Sequence, residues 1–310
     1  MVKKLIIILL LLIYFIFYNF FIIEKFDDKN TYLIYRSSGG LIHNLSGLSK
    51  AVDICIKNNC ILLIDSEQHV PFGVKFSDMF NLTNLKKKVK ILNSYDEIKQ
   101  NYKFNNYNIS EIKKFKIKFN KNNKYCVNGI NIQNITIKKN KINMMCTHGN
   151  LNHIKKLDLK INNNLKIIIK KKVNDLNLPK EYISVHFRNT DIKTNDTHIK
   201  NQILNTISKF KVNDLYLATD DYYFYNKIKN IPNLKIYRNT YPPKNIKNLH
   251  YLNTKNSKDK LIDLFIDMYC IYNSTYFIPS NKSGLSKYLK NSIQDNNNFF
   301  DIDTKKVIII

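Results

Sequence analysis

The feature that most constrains this 310-residue chain is a repeated alternation of short β-branched or aromatic runs with segments of helical period. Thr31–Arg36 reads as a strand, and Ser37-Ser38-Gly39-Gly40 interrupts it. From Leu45 the apolar residues Leu45, Leu48, Val52 and Cys55 recur at helical spacing, with Lys50 and Asp53 on the other side. Asn58-Asn59 stops that helix, and Ile61–Ile64 follows as a compact buried strand ending at Asp65. Strand, glycine turn, helix and strand make a βαβ unit, which requires a parallel sheet.

The pattern resumes near Leu165. A basic helical stretch leads to Pro179, and Tyr182–Phe187 reads as a strand. An amphipathic helix over 200–210 rests on Ile203, Ile207 and Phe210. Leu215–Ala218, Leu234–Tyr237 and Tyr276–Ile278 read as further strands. Lys260–Tyr272 is a helix with Leu261, Leu264, Phe265 and Met268 on one face, and another helix follows Gly284. The chain thus divides into an α/β unit over 31–178 and a second, Rossmann-like unit over 179–310. Residues 85–160 are rich in Lys and Asn with apolar islands such as Ile109–Phe119, where strands and solvated helices fit equally well.

Residues 1–30 are of another kind. Leu5–Ile23 is one apolar run broken only by Asn19, with Lys3 and Lys4 before it and Glu24, Lys25, Asp27 and Asp28 after. As a helix it would span about 28 Å, close to the hydrocarbon thickness of a bilayer. It is longer than a usual signal-peptide core and no small-x-small cleavage site follows. A signal anchor and stem are expected, with the N-terminus in the cytosol by the positive-inside rule and the rest lumenal or extracytoplasmic.

Fifty Lys and Arg against 24 Asp and Glu give a formal charge of +26, which by itself points to a polyanion partner. The excess is almost all Lys, however, and accompanies an excess of Asn and Ile, the residues that AT-rich codons supply. No zinc finger, RNP-type motif or localised Lys/Arg patch supports a nucleic-acid partner. Five cysteines (Cys55, Cys60, Cys126, Cys146 and Cys270) match no zinc pattern and leave open which pair a single disulfide would use. The N-x-S/T sequons, at Asn44, Asn81, Asn108, Asn134, Asn195, Asn273 and Asn281, are of a number expected in so Asn-rich a chain.

In open parallel sheets, ligands bind beyond the carboxyl ends of the strands. Four polar clusters fall at such ends: Gly39-Gly40-Leu41-Ile42-His43-Asn44, His186-Phe187-Arg188-Asn189-Thr190-Asp191, Ala218-Thr219-Asp220-Asp221 and Ser280-Asn281-Lys282-Ser283-Gly284. Each alone is an ordinary turn or cap. Together they line one cleft between two units.

These motifs resemble those of the GT-B fucosyltransferase superfamily, which groups the α1,6-, α1,2- and protein O-fucosyltransferases. His186-x-Arg188-x-Thr190-Asp191 is similar to the family's central motif, and Gly39-Gly40-Leu41 with the following helix and strand is similar to its first. Leu217–Asp221 matches the second strand-end motif. The helix holding Asp267, with the Ser280–Gly284 loop, resembles the last, and Phe76–Asn81 resembles an acidic-aromatic segment of the O-fucosyltransferases.

The resemblance implies two Rossmann-like doubly wound domains facing a cleft and a metal-independent, inverting transfer of fucose or a related sugar from a GDP-sugar to a glycan or protein hydroxyl. It implies that Arg188 holds the donor β-phosphate, with His186 beside the pyrophosphate and Asp220 and Asp221 near the base or ribose. Ser280, Ser283 and Gly284 would offer hydroxyl and backbone donors at a helix N-terminus, and Gly39, Gly40, His43 and Asn44 would face them from the first domain. No cofactor or metal is implied. Asp196, shortly after the central motif, is the family-like choice of general base. Two residues depart from the pattern: Asn189 stands where α1,6-type members carry a second Arg, and His43 where several members carry Gly. Both leave open an alternative, a degenerate transferase fold serving as a carbohydrate-binding or structural membrane protein.

Overall fold

A computed structural model of the chain describes residues 30–36, 40–65, 74, 76–92, 142–145, 154, 157–189, 194–242, 244, 257–280 and 282–310. The expected anchor Leu5–Ile23, the island Ile109–Phe119, Cys126 and Cys146 lie outside these residues. No helix among the described residues is long and apolar enough to cross a membrane.

In the first half, β1 (Thr31–Arg36) and β2 (Cys60–Asp65) pair in parallel at the centre of a four-stranded sheet, with β4 (Ile91–Leu92) beyond β2 and β5 (Ile142–Met145) beyond β1. The connecting helix α1 spans Leu41–Asn58. It starts a turn earlier than Leu45 because Leu41 and Ile42 are buried as well and extend the apolar stripe. It ends at Asn59, whose left-handed backbone (φ 51°) lets its N–H close on the Cys55 carbonyl.

The segment after β2 makes α2 (Phe76–Met79), β3 (Phe80–Asn81) and α3 (Thr83–Lys88). β3 pairs antiparallel with β6 (Lys160–Ile161). The acidic-aromatic segment Phe76–Asn81 is therefore largely core: Phe76, Met79 and Phe80 are buried, while Asp78 faces solvent.

The second half is a five-stranded parallel sheet. Its order is β11 (Ile308–Ile309), β10 (Tyr276–Pro279), β7 (Ile183–Phe187), β8 (Asp214–Thr219) and β9 (Lys235–Tyr237). Helices α5 (Asp196–Phe210) and α6 (Tyr222–Lys229) cover one face over Ile183, Val185, Phe187, Leu215 and Leu217. On the other face Tyr216, Ala218 and Phe277 join α7 (Ser257–Asn273) and α8 (Gly284–Gln294). The register sets His186 opposite both Ala218 and Pro279, so the exits of β7, β8 and β10 lie level.

The largest hydrophobic cluster runs through both halves, with a second cluster under α5 and α6 and a small third on β1, β2 and β4. α4 (Asn163–Asp175) packs on α7, and α8 packs on α1. Phe80 of the first half meets Phe265 (5.9 Å) and Phe299 (5.2 Å) of the second, edge to face. The C-terminal tail returns to the first half, where the Phe299 carbonyl accepts the Ile161 N–H and Asp301 pairs with Lys160 and Lys166. Cys55, Cys60 and Cys270 are buried free thiols. Asn44 is buried inside α1, so its sequon is closed in the folded chain.

Candidate active site

Hydrogen bonds tie together the described members of the clusters at the exits of β7, β8 and β10. His186, the penultimate residue of β7, is buried, with Nδ1 2.6 Å from the Ser286 hydroxyl. That hydroxyl also takes the Ser280 N–H at 3.1 Å. The Ser286 hydroxyl thus ties the His186 ring to the exit of β10 and the start of α8. Burial, reinforced by the nearby Arg188 charge, holds the His186 pKa down at about 3, so the imidazole is neutral at physiological pH.

Arg188 leaves β7 half-buried. Its carbonyl accepts the Thr194 hydroxyl at 2.8 Å, and Thr194 Oγ1 also lies 3.1 Å from Ser280 Oγ, joining the exits of β7 and β10. Asn189 joins β7 to β8. Its N–H donates to Asp220 Oδ1 (3.1 Å), its side-chain amide donates to Asp221 Oδ2 (2.7 Å), and its Oδ1 accepts the Thr194 N–H (2.9 Å). Asp221 caps α6, its Oδ1 accepting from the N–H groups of Tyr223 and Phe224.

Ser280, Ser283 and Ser286 are fully buried around the start of α8, where Ser283 is the N-cap and accepts the Ser286 N–H. Their hydroxyls brace the loop, and Gly284 opens the helix. From the first half, the exposed His43 on the first turn of α1 faces this point: its Cε1 and Nε2 lie 3.9 Å from where a β-carbon on Gly284 would stand. Gly40 N-caps α1, and the Asn44 carbonyl accepts the Tyr35 hydroxyl at 2.7 Å. Gly39, Thr190, Asp191 and Asn281 lie outside the described residues.

Asp196 does not join the cluster. It sits on the first turn of α5 with its carboxylate engaged by the Lys227 ammonium of α6. That hydrogen bond is the main cause of a lowered pKa, which leaves the group a weak base. Three contributing residues are not signalled as site residues by the sequence. Ser286 has a faint signal in the Ser283-x-x-Ser286 spacing of a cap. Thr194 has none. Asp267, singled out in the sequence only as a residue of the helix before the Ser280–Gly284 loop, is held under β8 by the Tyr216 hydroxyl at 2.6 Å. Burial, with the Asp263 charge in the same sense and the Tyr216 bond against it, pushes its carboxyl up to about 7.

Two parallel sheets in one chain, the second with the exits of β7, β8 and β10 level and a serine-braced helix start beside them, make a doubly wound α/β fold. No protein-family model matches the chain, and no curated protein sequence matches it. Solved structures do match. The fucosyltransferase NodZ from Bradyrhizobium superposes with a TM-score of 0.52 at 14% identity, covering 84% of this chain and 93% of that one. The structure of NodZ α-1,6-fucosyltransferase co-crystallized with GDP also gives 0.52 at 14% identity, covering 84% and 92%. POFUT1 in complex with GDP gives 0.55 at 9% identity, covering 91% of this chain and 99% of that one. This chain therefore has the fold of these fucosyltransferases.

Proposed function

We propose that this protein is an inverting glycosyltransferase that moves fucose, or a closely related sugar, from a GDP-sugar to a glycan or protein hydroxyl. The observation that carries the reading is the level carboxyl edge of β7 and β10, where Arg188 leaves β7 close enough to act on neutral His186, whose ring is bonded to Ser286 at the start of α8. Structures of the same fold hold GDP or GDP-fucose.

In this reading the Arg188 guanidinium grips two oxygens of the donor diphosphate and offsets the charge that grows as the nucleotide leaves. His186, oriented by Ser286, borders the diphosphate at the same strand exit. The α8 N-terminus adds backbone dipoles toward the same charge, and Asp220 lies where the nucleoside would extend over β8. No bound divalent metal is required, since the arginine supplies the compensating charge. Leu5–Ile23 would anchor the enzyme as a type II membrane protein with residues 31–310 in a lumenal or extracytoplasmic compartment.

The test is calorimetric titration of the full chain with GDP and GDP-fucose, with and without chelator, together with GDP release from GDP-fucose. Binding that survives chelation, and turnover that falls at least about 10²-fold in Arg188→Ala, are expected. Wild-type turnover in Arg188→Ala would sink the assignment. Glycan binding with no transfer from any nucleotide sugar would instead favour a carbohydrate-binding protein on a transferase fold.

A further inference from the structure

Two thiols meet at the C-terminal cap of α1, the end of that helix remote from His43. Asn59 takes the left-handed conformation (φ 51°), and its N–H closes on the Cys55 carbonyl. In such a cap the chain folds back, so that the residue after the left-handed one lies against the last turn of the helix. Here that residue is Cys60, which opens β2, and the residue of the last turn is Cys55 itself. Both side chains are buried in the largest hydrophobic cluster, and their thiols hydrogen-bond to each other. Sheet register holds the pair from the other side, since Cys60 stands opposite Thr31 of β1. Cys270, the remaining described cysteine, sits apart on α7 against Tyr216 and Asp267.

We propose that Cys55 and Cys60 are a disulfide site, closed by a thiol–disulfide oxidant into a covalent staple across the turn between α1 and β2. The cap geometry meets the first requirement of a disulfide, side chains directed at one another over a short distance. The inference concerns the first sheet alone and stands apart from the transferase reading.

The chemistry is exchange with a small-molecule disulfide such as oxidised glutathione. The Cys60 thiolate attacks one sulfur of the oxidant, and the other sulfur leaves with the electron pair of the broken bond. The Cys55 thiolate then attacks the Cys60 sulfur and expels the second thiol. The two protein thiols give up two protons and two electrons, which the oxidant takes up as two thiols. Burial raises the pKa of both cysteines, and at Cys60 the hydrogen bond from Cys55 works against that rise, so Cys60 is the thiol to react first. Burial also makes the closed pair slow to react, and the bond forms when the helix end opens.

The test holds the reduced full chain, in detergent, with reduced and oxidised glutathione in urea below the unfolding midpoint, where helix ends open without global unfolding. Remaining thiols are then alkylated and the linked peptides mapped by mass spectrometry. Cys55 and Cys60 should be joined to each other in most chains. After urea removal the joined form should melt about 2–5 °C above the same chain reduced again. Cys55→Ala and Cys60→Ala should each lose that oxidation-dependent rise. Recovery of Cys55 and Cys60 as alkylated thiols, linkage of either to another cysteine, or an undiminished rise in both variants would overturn the assignment. Should the alanine variants fail to fold, the linkage found in the wild-type chain decides alone.

Discussion

The imidazole of His43 and the backbone of Gly284 meet across the two halves of the protein, with two ring atoms 3.9 Å from the position a Gly284 β-carbon would take. A methyl group there makes an ordinary contact, and the Gly284 backbone is one that any L-residue adopts. Gly284→Ala should therefore fold normally and gain about 0.4–1 kcal/mol from a less flexible unfolded chain. A thermal melt should show a rise of roughly 1–3 °C. Gly284→Val adds branched bulk against the His43 ring at the start of α8 and should lower GDP-fucose turnover at least about tenfold, as a small misplacement within a site does. Equal kinetics in the two variants would show that the contact does not matter to the reaction.

His186 makes stability depend on acid. Its pKa is held at about 3 in the folded chain, against an ordinary value of 6.5 once unfolded. Between these values the unfolded chain binds the extra proton and the folded chain does not, so stability is complete above about pH 6.5 and is lost as pH falls toward 3. The amount is on the order of a few kcal/mol. Urea midpoints measured from pH 7 to pH 4 should fall steeply in wild type and less steeply in His186→Gln. Ser286→Ala removes the partner of a buried ring nitrogen and should cost about 1–3 kcal/mol at pH 7.

Asn189 holds three groups at once: Asp220, Asp221 and the Thr194 N–H. Asn189→Ala keeps the backbone bond to Asp220 but loses both side-chain bonds, and should destabilise by about 1–3 kcal/mol in denaturant titration. Asn189→Arg restores the residue of the α1,6-type pattern but cannot accept the Thr194 N–H. It should be no more stable than Asn189→Ala, and recovery of wild-type stability would contradict this account.

The Asp196–Lys227 pair is a half-exposed bridge between α5 and α6. Asp196→Asn and Lys227→Ala should each change stability by no more than about 1 kcal/mol. GDP-fucose turnover in Asp196→Asn should stay within about threefold of wild type, because the group lies outside the strand-end network. A loss of several hundredfold would return Asp196 to the role of general base.

Much of this architecture is legible from local pattern. The strands of β1, β2, β7, β8 and β10 are short apolar runs bounded by turn residues, and their helices carry one-sided apolar stripes. That Arg188, Asp220 and Ser283 stand at strand exits follows from the same periodicity, since a strand ends where its polar punctuation begins. The short pieces α2, β3, α3 and β6 are not legible, because they owe their form to Phe80 packing on Phe265 and Phe299, far away in sequence. A division at 178/179 marks where the second sheet begins. The largest hydrophobic cluster crosses that point, carried by α4, α7, α8 and the tail after Phe299.

The sequence by itself determined that the chain alternates strands with helices and that its polar clusters fall at strand ends, because periodicity and turn chemistry act between near neighbours. Only the tertiary structure decided which of those polar residues work together. Hydrogen bonds such as His186–Ser286 and Asn189–Asp221, the contact of His43 with Gly284 and the capture of Asp196 by Lys227 join residues 31 to 241 positions apart. Such pairings depend on sheet register and on the packing of the two halves against each other, which no local run of residues encodes.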